Sequence, residues 1–397
     1  MIKVCVIGLG YVGLPISLKI SSIFTTIGFD LNKNRIANLK KYIDNNNEFK
    51  KKDFNKKKLS FTSNPNEIKS CNFFIICVPT PIKKSKLPKL NYIEKSFITI
   101  SKILKKKDII VLESTVYPGV TRKYINLLEQ KTKLKNNKDF FTCYSPERIN
   151  PGDKKNDLSK INKILAYEGK NLLIKKKLIN VYSKICKKLI LTNKLEEAEA
   201  AKGIENIQRD LNISLFNEIL LICEKLNLNF NKVIKLAGTK WNFIKFLPGL
   251  VGGHCLPVDP YYLTYVAKKN KYNSKVTLAG RNINEYMKEY VIKYTNQKIK
   301  NLNYNLKKIR IFIIGLTYKY GVSDTRNAQN LEILNYFKKR FNVIGYDPFL
   351  NNEKFNKISF NNKDIYLFLT KGKKYKVIAD KIKKINPKNI IDPFYYY

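Results

Sequence analysis

The glycine-rich segment at residues 8–13 constrains the fold of this chain more than any other stretch. It reads Gly-Leu-Gly-Tyr-Val-Gly and lies between an apolar run at residues 2–7 and a helical pattern at residues 11–22. A second strand pattern at residues 24–29 ends at Asp30. Such glycines permit a tight turn and the close approach of a pyrophosphate to the helix N-terminus, whose amides and dipole favour anions. This order of strand, glycines, helix, strand and acid predicts a dinucleotide-binding βαβ unit.

Asp30 indicates which dinucleotide binds. It lies twenty residues beyond Gly10, where the ribose-binding carboxylate of such units belongs, and a carboxylate repels the 2′-phosphate of NADP. The sequence therefore favours NAD, and the positive side chains of Lys33 and Arg35 leave NADP as the alternative. The residues of this unit that we expect to bind the cofactor are Gly8, Gly10, Tyr11, Val12, Gly13, Asp30 and Arg35.

Three later strand patterns each end in a distinctive turn. The strands cover residues 73–78, 109–112 and 140–144, and the turns cover residues 78–81, 113–119 and 145–153. In a doubly wound sheet the carboxyl ends of the strands line the ligand crevice. We therefore expect these turns to face the cofactor, with Pro79, Thr80 and Thr115 among the binding residues.

The last third of the chain predicts a second α/β unit. Strand patterns and one helical stretch follow one another at residues 309–314, 328–340, 342–346, 365–369 and 389–391. The glycine fingerprint is missing after the first of these strands, so we expect no second dinucleotide. A nucleotide diphosphate of another kind is the expected ligand, with Lys319 as a phosphate partner.

A long helical pattern at residues 195–226 lies between the two α/β units. Apolar residues recur in it at helical spacing and form a stripe, namely Ala198, Ala201, Leu211, Leu215 and Ile219. Lys202, Asn206 and Arg209 share one face, which in an isolated helix would be a solvated polar face. A long helix in this place favours a homodimer.

The length and the apolar content of the chain fit more than one packed core. It has 397 residues, of which 44% are hydrophobic, so it is globular and too long for a single ordinary domain. The expected fold class is α/β, with two Rossmann-like doubly wound domains at residues 1–194 and 301–397. A central helical dimerisation region at residues 195–300 joins them.

The segment at residues 248–262 has the composition of a functional loop. It holds three glycines and three prolines, which rule out a regular helix or strand interior. Cys255 lies in it, and Asp259 follows four residues later. A cysteine in a glycine-cleared loop is a candidate nucleophile; the alternative is a buried cysteine in a tight loop. His254 is the only histidine, which excludes serine-type triads and multi-histidine metal sites, so no metal is expected.

The strong positive charge invites a nucleic-acid interpretation. The formal net charge is +45, but only eight of the 76 basic residues are arginine, and the lysines are spread among many Asn and Ile residues. An AT-rich coding sequence would yield this composition. We therefore expect no specific nucleic-acid partner and keep polyanion binding as the alternative function.

Cysteine usage and hydropathy indicate the cytoplasm. Seven cysteines, an odd number with no C-x-x-C pair, suit a reducing compartment and argue against disulfides and a thiolate zinc site. The apolar runs are too short to span a membrane. Residues 1–4 read straight into a strand, so we expect no cleavable leader.

Together these features resemble the UDP-glucose/GDP-mannose dehydrogenase family over essentially the whole chain. The motifs that carry the resemblance lie at residues 8–13, 113–121, 144–153, 202–212, 249–263 and 315–327. Within the family, residues 205–212, 241–243 and 252–255 look most like the branch that acts on UDP-N-acetylhexosamines. The resemblance implies NAD-dependent oxidation of UDP-GlcNAc or UDP-GalNAc at carbon 6 to the uronic acid, for surface polysaccharide synthesis.

The resemblance also implies a covalent mechanism. Cys255 would capture the intermediate aldehyde as a thiohemiacetal and then carry a thioester, which water hydrolyses. Lys202 would stabilise the developing oxyanions, and losing one such donor typically costs roughly 3–4 kcal/mol. Asp259 and Thr115 would hold or activate the water.

Further residues take their expected roles from the same resemblance. Glu147 would act as acid/base in the hydrolysis, Asn206 would orient the substrate and the lysine, and Arg326 would reach towards the cofactor site. The residues expected to bind the substrate are Glu147, Arg148, Lys202, Asn206, Gly252 and Lys319.

Three departures from the family pattern bear on substrate choice. Pro151 stands where the UDP-glucose branch has a second carboxylate, and Leu256-Pro257 replaces the common Ile-Gly beside the nucleophile. Leu247 stands where a basic residue is often expected, with Lys245 as a substitute. UDP-ManNAc and UDP-glucose therefore stay open as substrates, and an inactive remnant kept as a structural partner is a further alternative.

Overall fold

The structure is a computed structural model that describes residues 1–54, 58–149, 158–302, 304, 309–350 and 352–397. The chain divides into two compact units. Unit 1 comprises Met1–Glu205 and Tyr261–Lys271, and unit 2 comprises Asn206–Pro260 and Tyr272–Tyr397. Pro151, one of the departures from the family pattern, and the end of the turn predicted at residues 145–153 lie outside the described residues.

Unit 1 is built on an eight-stranded sheet. Its strands are β1 (Lys3–Ile7), β2 (Thr25–Phe29), β3 (Leu59–Thr62), β4 (Phe73–Ile76), β5 (Ile109–Leu112), β6 (Phe141–Tyr144), β7 (Asn162–Ala166) and β8 (Lys188–Thr192). The spatial order is β3-β2-β1-β4-β5-β6-β7-β8. Neighbouring strands are parallel except β6 and β7, which are antiparallel. The parallel strand ends therefore meet at one edge, as the sequence predicts.

Helices cover both faces of this sheet. They are α1 (Gly13–Ile20), α2 (Lys33–Lys40), α3 (Asn91–Ser101), α4 (Val120–Thr132), α5 (Leu172–Tyr182) and the first part of α6 (Leu195–Lys225). Alternate residues of β1 enter two different cores, with Val4 and Val6 in one and Cys5 and Ile7 in the other. Strands buried on both faces need near-continuous apolar runs, which is why the sequence reveals them well.

Unit 2 contains a smaller parallel sheet. Its strands are β9 (Arg310–Ile314), β10 (Asn342–Tyr346), β11 (Ile365–Phe368) and β12 (Ile390–Ile391), in the order β10-β9-β11-β12. The remaining helices of the chain are α7 (Phe230–Ala237), α8 (Asp259–Lys269), α9 (Lys275–Asn301), α10 (Gln329–Lys338) and α11 (Lys373–Ile385). The α/β fold class with two doubly wound sheets is confirmed.

The helix α8 begins earlier than the sequence predicts. Its first residues, from Asp259 to Tyr262, fall inside the segment for which the glycine and proline content excluded a regular helix. That exclusion was wrong for this end of the segment. Pro260 is the second residue of the helix, where a missing N–H removes no intrahelical hydrogen bond.

The buried face of α6 is polar over much of its length. Its fully or nearly buried polar residues follow one another at three- and four-residue intervals: Glu199, Lys202, Asn206, Asp210, Ser214 and Asn217. By contrast Leu215, a member of the predicted apolar stripe, is 50% exposed. A polar face can be buried only where each group finds a hydrogen-bond partner, and the sequence of one helix does not show those partners.

Within the part of the chain that the structure describes, no helix combines the length and the apolar character needed to cross a bilayer.

Candidate active site

The turn after β1 has the geometry of a phosphate cradle. Gly8 has a φ of 89°, and its N–H donates to the carbonyl oxygen of Phe29 over 2.8 Å. A Cβ atom at Gly13 would lie 1.9 Å from the Gly8 carbonyl oxygen, so only glycine fits there. Helix α1 starts without a side-chain cap, and uncapped helix amides are what a pyrophosphate binds. The other predicted residues of this turn are exposed or partly exposed, namely Gly10, Tyr11 and Val12.

Asp30 and Arg35 hold this turn from its other side. The Asp30 carboxylate accepts hydrogen bonds from the N–H groups of Leu9 and Asn32, each at 2.9 Å. Arg35 donates through Nε to the Leu9 carbonyl at 3.0 Å and through Nη1 to Asp44 at 2.8 Å. Asp30 at the end of β2 and Arg35 on α2 therefore both lie next to the glycine turn.

The turns after β4 and β5 are joined by hydrogen bonds. Ser114 Oγ donates to the Val78 carbonyl at 2.7 Å. Tyr262, on α8, donates its hydroxyl to the Thr80 carbonyl at 2.9 Å. Because β4 and β5 are parallel neighbours, both turns lie at the edge that also holds the glycine turn. The predicted residues of these turns are all at least partly exposed there: Pro79, Thr80 and Thr115.

Glu147 belongs to a buried charge cluster that we define as Glu113, Glu147, Lys163 and Tyr182. The Lys163 ammonium is completely buried and lies 2.6 Å from Glu113 Oε2 and 3.1 Å from Glu147 Oε2. The Tyr182 hydroxyl donates to Glu113 Oε1 at 2.7 Å. Glu147 Oε1 accepts the backbone N–H of Arg148 at 2.5 Å.

The two carboxyls of this cluster have opposite pKa shifts. Burial raises the pKa of Glu113 to about 7 against the lowering effect of Lys163. Burial acts on Glu147 in the same direction, but the charge of Lys163 and a hydrogen bond from Glu113 outweigh it, so the Glu147 pKa is lowered. Coupled groups of this kind share a proton. At neutral pH Glu147 is the ionised member of the pair.

Arg148 contacts helix α6, which also carries Lys202. Arg148 donates to the Asn162 carbonyl at 3.1 Å and forms an ion pair with Glu205. Lys202, on α6, is 8% exposed. A buried lysine is a candidate to donate hydrogen bonds to an anionic group of a bound ligand.

The cysteine loop in unit 2 is fixed at its start by a buried side chain. Asn217, on α6, accepts the Gly249 N–H at 2.7 Å and donates to the Gly249 carbonyl at 3.1 Å. Its amide also donates to Asn284 Oδ1, on α9, at 2.8 Å. Tyr396 donates its hydroxyl to the Pro248 carbonyl at 2.8 Å. These hydrogen bonds fix the orientation of the backbone at the start of the loop.

The middle of the loop packs against the segment that precedes α10. The Gly253 N–H donates to the Arg326 carbonyl at 3.0 Å, and the Asn327 side chain donates to the Gly253 carbonyl at 3.0 Å. A Cβ atom at Gly252 would lie 2.6 Å from Tyr318 Cβ and 2.9 Å from the Asn327 carbonyl oxygen. A side chain at position 252 would therefore collide with other residues of unit 2, which explains why this residue is glycine.

Cys255 lies in the turn that precedes α8, four residues before the first residue of the helix, Asp259. Its carbonyl accepts the N–H groups of Val258 at 3.0 Å and Asp259 at 2.8 Å. Six of the seven cysteines, all of which the structure describes, are buried, and Cys255 is partly exposed. Asn206 donates to the Asp259 carboxylate over 2.5 Å, and both side chains are buried.

Arg326 is held beside this loop by a carboxylate. Asp324 accepts its Nε at 3.0 Å and its Nη2 at 2.6 Å, and Nη2 also lies 3.2 Å from His254 Nδ1. Burial opposes ionisation of Asp324, but the Arg326 hydrogen bonds outweigh it and keep the pKa of Asp324 below its usual value. The structure therefore places the predicted cofactor residue Arg326 next to the residue that precedes Cys255.

Lys319 follows a turn that resembles the one after β1. Gly315 has a φ of 85° and donates to the Tyr346 carbonyl at 2.9 Å. Asp347 ends β10 as Asp30 ends β2, but Asp347 is completely buried, and its Oδ2 accepts the N–H of Leu316 at 2.9 Å. The Lys319 side chain is partly exposed beside this turn.

The predicted site residues are divided between the two units. Unit 1 holds the glycine turn, Asp30, Arg35, the strand-end turns, Glu147, Arg148 and Lys202, and unit 2 holds Asn206, Gly252, Cys255, Asp259, Lys319 and Arg326. Sequence reasoning missed the partners that hold them, namely Glu113, Lys163, Tyr182, Asn217 and Asp324. One signal was available, because Lys163 is a charged residue inside the apolar strand β7.

Comparison with known proteins identifies the family. The model described as the UDP-glucose/GDP-mannose dehydrogenase family, NAD binding domain, matches residues 2–186. The model described as the central domain of the same family matches residues 196–286. The chain belongs to this family. It is therefore an NAD-dependent nucleotide-sugar dehydrogenase, and the cradle at residues 8–13 with the acid at the end of β2 fits NAD.

Relatives of known name extend over most of the chain. UDP-N-acetyl-D-glucosamine 6-dehydrogenase of Pseudomonas aeruginosa is 41% identical over 356 residues, which cover 89% of this chain and 84% of the relative. Protein CapL of Staphylococcus aureus is 40% identical over 85% of this chain and 80% of its own length. Among solved structures, UDP-D-ManNAc dehydrogenase from Pyrococcus horikoshii matches with a TM-score of 0.88 at 29% identity, over 100% of this chain and 96% of that one.

Proposed function

We propose that this chain oxidises the C6 hydroxyl of UDP-GlcNAc or UDP-GalNAc to the carboxylate, for surface polysaccharide synthesis. The observation that carries the proposal is the position of Cys255, a partly exposed cysteine in the turn before α8, four residues before the buried Asp259 that begins the helix. The relative named for UDP-GlcNAc is 41% identical, and the solved structure named for UDP-ManNAc is 29% identical. This difference favours the former substrate class.

The chemistry assigned to Cys255 is covalent. NAD+, when bound, supplies the hydride acceptor for both oxidations, so two NAD+ are consumed. The Cys255 thiolate adds to the C6 aldehyde, and the oxyanion takes a proton to give a thiohemiacetal. After the second hydride and the hydroxyl proton leave, a thioester remains. Water then attacks its carbonyl carbon, the carbon–sulfur bond breaks, and the thiolate is restored.

The other predicted catalytic residues assist these steps. Lys202 would donate hydrogen bonds to the oxyanions, and such a donor contributes on the order of 3 kcal/mol. Asn206 holds the Asp259 carboxylate, which with Thr115 would orient the water. Glu147, the ionised member of the buried charge cluster, would accept the proton of the attacking water.

The ligand-binding roles are assigned to three ranges of the chain. Residues 1–194 would form the NAD-binding domain, with the cofactor held at the glycine turn, Asp30, Arg35 and the strand-end turns, and with Arg326 reaching towards it. Residues 301–397 would bind the UDP-sugar, with a diphosphate contact from Lys319 and further contacts from Arg148 and Gly252. The region 195–300 would supply the dimer interface.

The proposed homodimer would form through an exposed apolar row on α6. Ile204, Leu215 and Ile222 are 55%, 50% and 50% exposed. Their spacings of eleven and seven residues return to nearly the same helix face. A row of this kind is what a second copy of the helix could cover.

The decisive experiment compares Cys255→Ala with Cys223→Ala, a buried cysteine on α6 that serves as the matched control. Cys255→Ala should abolish net NADH production from UDP-GlcNAc, measured by NADH absorbance, while NAD binding persists; Cys223→Ala should keep turnover. Full turnover by Cys255→Ala would refute the covalent mechanism. A panel of UDP-GlcNAc, UDP-GalNAc, UDP-ManNAc and UDP-glucose with the unmodified protein decides the substrate by kcat/KM.

A further inference from the structure

Lys163 stands out among the buried titratable groups, because nothing in the proposed mechanism uses it. Its side chain is 0% exposed and lies in strand β7, where an apolar residue would pack at no electrostatic cost. Burying an ammonium costs several kcal/mol unless it is paired and hydrogen-bonded. A lysine kept in this position must therefore serve the groups it pairs with.

Lys163 and Glu147 come from neighbouring parts of the sheet. Strands β6 and β7 are antiparallel, with Tyr144 paired to Ala166. Glu147 lies three residues after the end of β6, and Lys163 lies inside β7. Lys163 Nζ and Glu147 Oε2 are 3.1 Å apart, and both side chains are buried. The pair is therefore a buried contact beside the sheet and not a flexible surface contact.

Both carboxyls of the cluster are fixed in orientation. Glu147 Oε1 accepts the backbone N–H groups of Arg148 and Ile149, while Oε2 faces Lys163. Glu113 is held between Lys163 and the hydroxyl of Tyr182. Glu147 keeps 7% of its side chain exposed, whereas Glu113 and Lys163 are fully buried. Glu147 is thus the member of the cluster whose side chain retains access to solvent.

The charges of the cluster can be balanced only by sharing a proton. Two ionised carboxylates around one ammonium would leave a net negative charge in a buried site, which is unfavourable. Among the described residues, the other titratable groups beside Glu113, Glu147 and Lys163 are the phenol of Tyr182, which belongs to the cluster, and the neighbouring thiols of Cys77, Cys143 and Cys186. Burial raises the pKa of each of these four groups, so they stay neutral and supply no further charge.

We propose that Lys163 is a positioning residue that keeps the Glu147 carboxylate ionised and oriented for thioester hydrolysis, with Glu113 as the neighbouring carboxyl that holds the shared proton. The inference rests on the proposed function, because it assumes that Glu147 is the base of that step. Lys163 itself contacts no substrate, since it is fully buried.

The test measures NADH formation by Lys163→Met and Lys163→Arg against pH, with UDP-GlcNAc as substrate. Without the ammonium, the carboxyl pair should hold its proton to higher pH. For Lys163→Met we expect kcat to fall roughly tenfold or more at neutral pH and its acidic limb to move up by about one pH unit or more. Because hydrolysis comes after both hydride transfers, a rapid burst of NADH should precede the slow steady state. KM should change little, and Lys163→Arg should restore most of kcat.

Glu113→Gln is the contrasting variant. The amide oxygen can still accept from Lys163, and the amide NH2 can donate to the Tyr182 hydroxyl oxygen. Because the substitution removes the competing carboxyl, the acidic limb of the kcat–pH profile should not move upward. If Lys163→Met does not fold, the pH dependence of kcat in Glu113→Gln and Lys163→Arg decides the test. A Lys163→Met protein with the wild-type pH profile and no burst overturns the inference, as does an upward shift in Glu113→Gln. Absence of NADH formation by the unmodified protein with every UDP-sugar instead refutes the proposed function.

Discussion

Replacing Asn217 by alanine should loosen the cysteine loop without touching the chemistry directly. The Asn217 side chain is 0% exposed and makes three hydrogen bonds, two of them to the backbone of Gly249 and one to Asn284. Alanine fills less space and offers no donor or acceptor. The N–H and carbonyl of Gly249 would then be left buried without these partners.

The magnitude follows from those three bonds. A typical intramolecular hydrogen bond contributes about 0.5–1.5 kcal/mol net, and a buried group left without its partner costs about 1–3 kcal/mol. Allowing for relaxation of the loop, we expect Asn217→Ala to lower the free energy of unfolding by about 2–4 kcal/mol. Cys255, six residues beyond Gly249, should also become more reactive, because the loop that presents it is less constrained.

Two assays measure these effects. Urea unfolding gives the change in stability, and the rate of thiol alkylation by iodoacetamide in native buffer gives the access to Cys255, with Cys255→Ala to identify the reacting site. Asn212→Ala is the matched control, because Asn212 lies on the same helix and donates to the Gln208 carbonyl of that helix, one turn earlier. If Asn217→Ala and Asn212→Ala lose the same stability and alkylate at the same rate, the proposed fixing of the loop by Asn217 is wrong.

Two further predictions concern helix α6. Burial raises the pKa of Glu199 to about 7, above its unfolded value, so the folded state binds more protons and this group favours folding less as pH rises from about 4.5 to about 7. Wild-type protein should therefore lose on the order of 1–3 kcal/mol more stability across that window than Glu199→Gln, as urea unfolding at several pH values would measure; equal slopes would contradict it. Leu215→Lys, in the exposed apolar row, should convert the proposed dimer to a monomer in sedimentation velocity, whereas the exposed Glu218→Lys should not; a monomeric wild type would rule out the interface.

The sequence predicts the parts of this fold that follow from apolar runs and glycine chemistry. Strands β1, β4, β5 and β6 are buried throughout or nearly so, and each lies where the sequence predicts it within two residues. Strand β8 escaped prediction because it is largely exposed, and β7 because Lys163 interrupts its apolar run. A local sequence pattern therefore predicts a strand only when the buried residues of that strand are also apolar.

The residues of the candidate site were likewise predictable only where a local motif contains them. Cys255, Asp259 and Asn206 could be named from their motifs, and the structure joins Asn206 to Asp259 by a hydrogen bond. The positions of Asn217 and Lys163 could not be named, because each acts through a residue distant in sequence. Buried polar groups need partners from other elements, so their meaning depends on the tertiary structure.

The turn after β1 and the turn after β9 have the same local geometry but different surroundings. Leu9 donates its N–H to Asp30, and Leu316 donates its N–H to Asp347, both at 2.9 Å. Helix α1 starts five residues after the first turning glycine, Gly8, whereas α10 starts fourteen residues after the second, Gly315. A short connection leaves helix amides beside the turn, where they suit a pyrophosphate.

The longer connection in unit 2 is used differently. Its last residues bond the cysteine loop, with the Gly253 N–H on the Arg326 carbonyl and the Asn327 amide on the Gly253 carbonyl. Asp347 is enclosed by the backbone of the turn, so its carboxylate stabilises the turn where Asp30 remains partly exposed. The lengthened connection therefore replaces a phosphate cradle by a support for the proposed nucleophile. This explains in physical terms why the fingerprint is missing from unit 2 although the strand and its turning glycine are present.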